Sequence, residues 1–329
     1  MVLHIHLTAF GPYGDVAVNP TSVLATALPS HIKQRTQQLP SNITIDSITQ
    51  IETSAAAVEK TLTQLHAQVS DLPPTSTSDL ASPTPSATAD SPASLSADLS
   101  PSTSPSPTSF LSPSPASHSH LWVHLGVHPR SAALSLEHRG VNEADFRIPD
   151  QQGWMPRSTA IVPGDVLLRH TRVDVARLKM RLDGVGGGLG GGCGWSVVES
   201  WDAGRYICNL TYFTSLCRSH QRTVQAAAAA AASGTTAPVQ HDSLFIHCPP
   251  FDAIAQSQQL DFLLALLLVL SGMEAEAEGS WRVKEGSGIP LVLGGPGDSA
   301  ADVIGRGMLS DQIAVVGQPA LSGPVRGLS

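Results

Sequence analysis

The chain has 329 residues, a formal net charge of -8 and a hydrophobic fraction of 41%. This length allows a sizeable core, but 28 Gly and 25 Pro, many of them in biased tracts, predict that the folded part is shorter than the chain. Without a run of Lys or Arg, the sequence offers no positive surface for nucleic acid or anionic lipid, so neither is an expected partner.

Four cysteines occur without a C-x-x-C pair, and they are Cys193, Cys208, Cys217 and Cys248. A chain of this size needs no disulfide framework, which favours a reducing compartment, the cytosol. Residues 1–10 have no basic flank and predict a strand rather than a signal or transit peptide. The longest apolar run, 262–270, is shorter than the roughly 20 residues that span a bilayer and predicts a buried helix.

The first part of the chain predicts two strand-helix units. The predicted strands are 2–8 and 43–51, and the predicted helices are 21–28 and 54–65. In the second helix, Val58, Leu62 and Leu65 recur at helical spacing. The order strand, helix, strand, helix predicts an α/β fold, a three-layer α/β/α sandwich with a mostly parallel central sheet.

Three biased tracts interrupt this pattern. The Ser/Pro/Thr-rich tract 73–119 has too few large apolar residues to offset the entropy of ordering, so it predicts a disordered surface insertion. The Gly-rich tract 184–194 and the Ala-rich tract 225–238 are expected to be loops. We therefore predict one domain over residues 1–283 that carries these insertions, followed by a C-terminal extension, 284–329, of uncertain order.

Ordered elements are expected between and after these tracts. The predicted strands are 121–125, 132–136, 196–200, 243–247 and 290–293, and a helix is predicted at 204–216. Pro249 and Pro250 end the strand at 243–247, because proline cannot donate to a β-ladder.

A cysteine lies close to the start of the helix predicted at 204–216. Capping by Asp202 would place Cys208 in the second turn. The partial positive charge of a helix N-terminus, together with a nearby imidazolium, lowers the pKa of a thiol and makes it a better nucleophile. A lone helical cysteine is more often a small buried hydrophobic side chain, so both interpretations stay open on these residues alone.

A histidine and a glutamate could complete a catalytic set with this cysteine. His247 ends a predicted strand, and the ends of strands in open α/β sheets are where such folds gather their sites. A thiolate nucleophile needs an imidazole within reach, and the imidazole needs a group that holds its orientation, for which Glu137 is a candidate. Taken singly, His247 could equally be a satisfied core histidine and Glu137 a solvated carboxylate.

Other chemistry has weaker support in the sequence. The histidines His118, His120, His124 and His128 lack the Cys/His spacing of zinc sites, so no metal is expected. The fragments GGGLGG and GPGDSA lack the strand-turn-helix context of a dinucleotide site, so no organic cofactor is expected.

Four segments, in chain order, are TAFGPYGDVAVNP, HLGVHPRSAALSLEHRGVNEADFRIPDQQGWMP, DAGRYICNLTYFTSL and SLFIHCPPF. They resemble the N-terminal, glutamate, cysteine and histidine motifs of the pyroglutamyl peptidase I family, also called pyrrolidone-carboxylate peptidase. The resemblance covers roughly residues 1–66, 120–172, 195–222 and 243–275. The biased tracts fall in the gaps, which supports their interpretation as insertions.

The resemblance implies roles for individual residues. Cys208 would be the nucleophile, His247 the general base and acid, and Glu137 the carboxylate that orients His247. A pyroglutamate pocket would comprise Phe10, Tyr13, Asn19, Arg147, Ile148, Tyr206 and Ile207. Aromatic surfaces with a few polar groups suit a flat, uncharged lactam.

Three positions depart from the family pattern. Tyr13 stands where the family usually has Phe, Ala9 where it usually has Gly, and Val127 where bacterial members carry a Gln in the pocket. The resemblance therefore leaves the hydrogen bonding of the lactam undefined.

The function that the resemblance implies is a cysteine omega-peptidase. It would hydrolyse the bond after an N-terminal pyroglutamyl residue through a thioester, with peptides blocked by pyroglutamate as its partners and without a cofactor. A homo-oligomer stays open, because bacterial members of the family are oligomeric. The alternatives are a catalytically silent pyroglutamyl-peptide-binding protein on the same fold and a thiol hydrolase of other amides.

Overall fold

The computed structural model describes residues 2–14, 16–35, 39–69, 118–188, 194–234 and 239–275. The strands are β1 Val2–Phe10, β2 Ile43–Ile51, β3 His118–Val127, β4 Leu134–Glu137, β5 Arg139–Val141, β6 Leu168–His170, β7 Val197–Ser200 and β8 Gln240–Cys248. The helices are α1 Pro20–Gln34, α2 Ala55–Gln68, α3 Val175–Gly188, α4 Ile207–Ser233 and α5 Gln256–Ala275.

Within the described residues, six strands form the central sheet in the order β2-β1-β3-β8-β4-β7. All neighbouring pairs are parallel except β4 and β8, which are antiparallel. The strands β5 and β6 form a separate antiparallel ribbon. The predicted fold class, an α/β fold with a mostly parallel sheet, is confirmed.

The two faces of the sheet bury different kinds of residues. One face packs under α1, α3 and α5 and is aliphatic, with Leu3, Ile5 and Leu7 of β1 in its core. The other face lies under α2 and α4. Because side chains alternate along a strand, this second face receives His4, His6 and Thr8 of the same strand.

Each of the three predicted insertions is shorter than expected. The alanine run is helical, because α4 continues to Ser233, so the loop predicted at 225–238 is wrong for residues 225–233. Alanine has the highest helix propensity, which explains the extension. Likewise α3 includes residues 184–188 of the predicted glycine loop. His118 and Ser119 belong to β3 rather than to the Ser/Pro/Thr-rich insertion.

Some elements were missed and some predictions fall on undescribed residues. The sequence did not predict α3, β5 or β6, while the apolar run at 262–270 is a buried part of α5, as expected. Within the described ranges, none of the helices is long and apolar enough to cross a membrane. The strand predicted at 290–293, the extension 284–329 and most of the tract 73–119 lie outside the described residues.

Candidate active site

Cys208 lies in the first turn of α4, which begins at Ile207. The expected cap is wrong, since Asp202 instead accepts hydrogen bonds from Gly204 N at 3.1 Å and Arg205 Nη1 at 2.6 Å. The N-cap residue is Tyr206, whose side chain makes no capping hydrogen bond. The first turn therefore presents backbone N–H groups beside the thiol without a side-chain cap.

Asn209 fixes the start of α4 against β5. Its fully buried amide donates to Val141 O at 2.8 Å and Glu143 O at 2.9 Å, and its Oδ1 accepts from Val141 N at 2.8 Å. Gly140 lets the two elements approach, because a Cβ at this position would lie 2.9 Å from the Phe213 backbone. The position of Cys208 thus depends on the contact between β5 and α4.

His247 and Glu137 come together through the antiparallel pairing of β4 and β8. His247 Nδ1 lies 2.7 Å from Glu137 Oε1, and both side chains are buried. The backbone carbonyl of Glu137 accepts a 2.7 Å hydrogen bond from the Tyr212 hydroxyl, which holds the strand against α4. Cys208 also interacts with His247, because its charge and a side-chain hydrogen bond both act to raise the pKa of the imidazole. The structure therefore brings the three predicted catalytic residues into one chain of contacts.

The surroundings of His247 stabilise its charged form. Burial alone would lower the pKa of this imidazole, but the negative charge of Cys208, the hydrogen bonds to Cys208 and Glu137, and the charge of Glu137 together raise it to about 10. The contacts with Cys208 and Glu137 therefore favour the imidazolium form of the ring. A charged imidazole that hydrogen-bonds a sulfur is the arrangement in which a thiolate is stabilised.

A cavity of about 580 Å³ opens beside Cys208 and His247. All seven predicted pocket residues line it, namely Phe10, Tyr13, Asn19, Arg147, Ile148, Tyr206 and Ile207. Val127, the position of the departure from bacterial members, also lines the cavity. Glu137 does not, since it lies behind His247.

The pocket residues differ in what their polar atoms contact. Asn19 caps α1, because its Oδ1 accepts from Thr21 N at 3.0 Å and its amide donates to Gly11 O at 3.0 Å. The Tyr206 hydroxyl donates to Pro149 O at 3.1 Å, and burial, together with nearby negative charges, raises its pKa to about 12. Asn19 therefore shapes the N-terminal loop, while Tyr206 presents an uncharged ring.

Seven further residues line the cavity that sequence reasoning did not identify: Thr53, Pro129, Asp145, Asp202, Ala203, Gly204 and Arg205. They come from separate loops at the carboxyl ends of the strands. Arg205 joins two of these loops, because its guanidinium contacts Glu143 at 3.1 Å and Asp202 at 2.6 Å. All of them except Thr53 lie within the quoted motifs, but their place in the cavity follows from the convergence of the loops rather than from the motifs.

Gly126 is a further residue near the thiol that the sequence analysis did not single out. It lies near the end of β3, and a Cβ there would be 2.6 Å from Phe245 Cζ and 2.9 Å from Cys208 Sγ. Real Cβ atoms do not approach other atoms so closely. The absence of a side chain at this position is therefore a condition for the location of the thiol.

Comparisons with known proteins agree with this architecture. Residues 114–230 match the family model for pyroglutamyl peptidase, and this segment contains Glu137 and Cys208 but ends before His247. Pyroglutamyl-peptidase 1 of Rattus norvegicus is 28% identical over 160 residues, 48% of this chain and 64% of the relative. Pyrrolidone-carboxylate peptidase of Pyrococcus furiosus is 30% identical over 97 residues, 30% of this chain and 43% of the relative.

A solved structure extends the likeness over most of the fold. Pyrrolidone carboxyl peptidase from Thermococcus litoralis superposes with a TM-score of 0.54 and 16% identity, covering 88% of this chain and 99% of the other. At this identity the structural likeness shows the fold alone. In sequence, the chain spans less than two thirds of the length of the curated relatives it matches.

Proposed function

We propose that this chain is a member of the pyroglutamyl peptidase family and hydrolyses the amide bond after an N-terminal pyroglutamyl residue of peptides. The observation that carries the proposal is the contact chain from Cys208 through His247 to Glu137 at the edge of a cavity lined with aromatic rings. A nucleophile, a base and the group that orients the base are the parts that acyl transfer requires.

In the first step, the Cys208 thiolate attacks the pyroglutamyl carbonyl carbon and forms a tetrahedral intermediate. The intermediate collapses to a thioester as the C–N bond breaks, and the His247 imidazolium donates its proton to the leaving amine. The neutral imidazole then takes a proton from water, and the hydroxide attacks the thioester. Pyroglutamate leaves, and the thiolate-imidazolium pair is restored.

The start of α4 supports stabilisation of the oxyanion. The first intrahelical hydrogen bond is donated by Leu210 N to Tyr206 O at 3.1 Å, so the N–H groups of Cys208 and Asn209 precede it. Uncapped N–H groups beside the nucleophile can donate to the developing negative charge. Arg147 lines the same cavity and adds a positive charge at its exposed rim.

The cavity supports the choice of substrate. Pyroglutamate is a flat ring with no free amine, and Phe10, Tyr13 and Tyr206 offer ring surfaces for it. Phe146 holds the Tyr206 ring in an edge-on contact with centroids 4.6 Å apart. A ring fixed in this way can stack on a ligand at little entropic cost.

The proposal is tested with a pyroglutamyl aminocoumarin substrate and the variant Cys208→Ser. We expect turnover to fall at least about 10³-fold in this variant. The matched control is Cys217→Ser, in the same helix, because the Cys217 thiol donates to Asp165 and burial raises its pKa to about 12. Cys217→Ser should keep wild-type turnover.

The outcomes separate the alternatives. Wild-type turnover in Cys208→Ser would overturn the mechanism. Saturable binding of pyroglutamyl peptides without any turnover by the wild-type chain would favour a silent binding protein. Faster turnover of an alanyl than of a pyroglutamyl aminocoumarin would favour a thiol hydrolase of other amides.

We further propose that the catalytic unit is the single domain 1–283 with its insertions and that it works in the cytosol. A nucleophilic thiol must stay reduced, which supports that compartment. Gel filtration of the full chain tests whether it forms a homo-oligomer.

A further inference from the structure

A cluster of two histidines and an aspartate lies at the amino ends of the strands, away from the cavity. His4 is on β1, Asp46 on β2 and His120 on β3, and these three strands are neighbours in the sheet. His4 Nδ1 lies 2.8 Å from Asp46 Oδ2, and one ligand atom from each residue lies within 4.8 Å of the other two. The three side chains thus converge although they come from distant parts of the chain.

A β-bulge directs Asp46 to this cluster. The register between β1 and β2 pairs Ile5 with Ile45 and then His6 with Ser47, so Asp46 has no partner across the ladder. An extra residue in one strand changes which face the next side chain points to. Because of the bulge, Asp46 and Ser47 both reach histidines on the same face, with His6 Nδ1 3.2 Å from Ser47 Oγ.

Neighbouring histidines hold the two imidazoles in place. His4 Nε2 lies 2.9 Å from His118 Nδ1, and His120 Nδ1 lies 3.1 Å from His6 Nε2. The rings of His4 and His120 stack with centroids 4.7 Å apart. Metal-binding histidines characteristically use one ring nitrogen for the metal and hydrogen-bond the other, which fixes the ring.

We propose that His4, Asp46 and His120 bind a divalent transition-metal ion of the Zn²⁺ type. Two imidazole nitrogens and a carboxylate oxygen form a ligand set suited to Zn²⁺. At His4 Nδ1 the ion replaces the proton shared with Asp46, and Nε2 retains its hydrogen bond to His118. Asp46 is exposed, so an ion can enter from solvent, and water completes the coordination.

The proposed site is separate from the catalytic cavity. His4 and Phe10 are six residues apart on β1, which corresponds to about 20 Å along an extended strand. An ion at His4 therefore ties together the amino ends of β1, β2 and β3 and does not touch the substrate. This role is structural, and it does not depend on the proposed peptidase function.

Calorimetric titration of the full chain with Zn²⁺ tests the site. The background is Cys208→Ser, because the catalytic thiol and His247 could also take up Zn²⁺. We expect one equivalent to bind in this background, with affinity at least roughly tenfold weaker after His4→Gln or Asp46→Asn. The second substitution keeps the size of an exposed side chain, so it should fold even if His4→Gln does not.

A matched control exists in another histidine-aspartate pair. His31 Nε2 lies 2.9 Å from Asp261 Oδ1, in a pair that is not part of the three-residue cluster. His31→Gln should leave Zn²⁺ affinity unchanged. Zn²⁺ should also raise the Tm of the background and of His31→Gln by more than that of Asp46→Asn, since an ion that binds only the folded state stabilises it in proportion to its affinity.

Two results would overturn the proposal. One is the absence of saturable Zn²⁺ binding in the Cys208→Ser background. The other is an equal affinity in the background and in folded Asp46→Asn.

Discussion

The two ends of one sheet face carry histidines in opposite charge states. At the carboxyl ends, His247 contacts Cys208 and Glu137, and its pKa is raised to about 10 despite burial. At the amino ends, burial and neighbouring histidines lower the pKa of His120 to about 2. Midway along β3, burial alone lowers the pKa of His124 to about 3.

The difference teaches that buried anions, not burial, decide which histidine is charged. Desolvation penalises the imidazolium at both ends, so a histidine without an anionic partner stays neutral. Glu137 and the Cys208 sulfur reverse this preference at one end only. Substitution of these histidines or of the groups around them should therefore change activity at the carboxyl ends and stability along the face.

The largest effect is expected from His247→Gln. Loss of the imidazole removes the proton donor and the cation that stabilises the thiolate, so kcat should fall about 10³-fold or more. Steady-state assays with the pyroglutamyl aminocoumarin substrate measure this fall in kcat. His128→Gln is the control, because this exposed ring lies edge-on to His247 with centroids 5.9 Å apart. Equal losses in both variants would remove His247 from its proposed role.

Glu137→Gln should reduce kcat by roughly 10²- to 10⁴-fold and shift its pH profile. The carboxylate raises the pKa of His247, so without it the imidazolium deprotonates at lower pH and the alkaline limb of kcat moves to lower pH. The matched control is Glu199→Gln, which removes the partner of His138 at 2.8 Å. An unshifted alkaline limb in Glu137→Gln would contradict the assignment.

Gly126→Ala should lower kcat about tenfold and cost about 1–3 kcal/mol of unfolding free energy. The added methyl group would meet Phe245 and Cys208 Sγ at less than 3 Å, so the thiol must move relative to His247. Gly184→Ala in α3 is the control, because a Cβ there has no neighbour within 4 Å. Wild-type kinetics in Gly126→Ala would show that the thiol tolerates the displacement.

The smallest effect is expected from His124→Gln. In the folded protein the His124 ring is neutral, and it shares one hydrogen bond of 2.7 Å with Thr8 Oγ1. Its pKa is lower in the folded than in the unfolded state, so unfolding takes up a proton and stability falls as the pH drops below about 6.5. Near pH 5, His124→Gln should reduce this slope by about 1.4 kcal/mol per pH unit. Urea titrations at several pH values measure the slope, and parallel profiles would refute the prediction.

Local sequence patterns predict many of the strands and helices, and where their observed bounds differ from the predicted ones there is a physical cause. The strand Ile43–Ile51 was predicted with its observed bounds, because its alternation and β-branched residues act locally. The helix at Cys208 begins later than predicted, since Asp202 binds Arg205 instead of capping it. The biased composition of the alanine run predicts a loop, although the helix propensity of alanine extends α4 through it.

The sequence by itself determined the fold class and, through the resemblance of its motifs, the candidate catalytic residues and pocket. These features depend on residue type and on spacing along the chain. Only the tertiary structure decided that Arg205 joins two loops at the cavity, that Gly126 leaves room for the thiol, and that a bulge directs Asp46 to His4 and His120. Each of these contacts joins residues from separate strands or loops. The distance between such residues is set by the alignment of the strands in the sheet, and their spacing along the chain does not predict it.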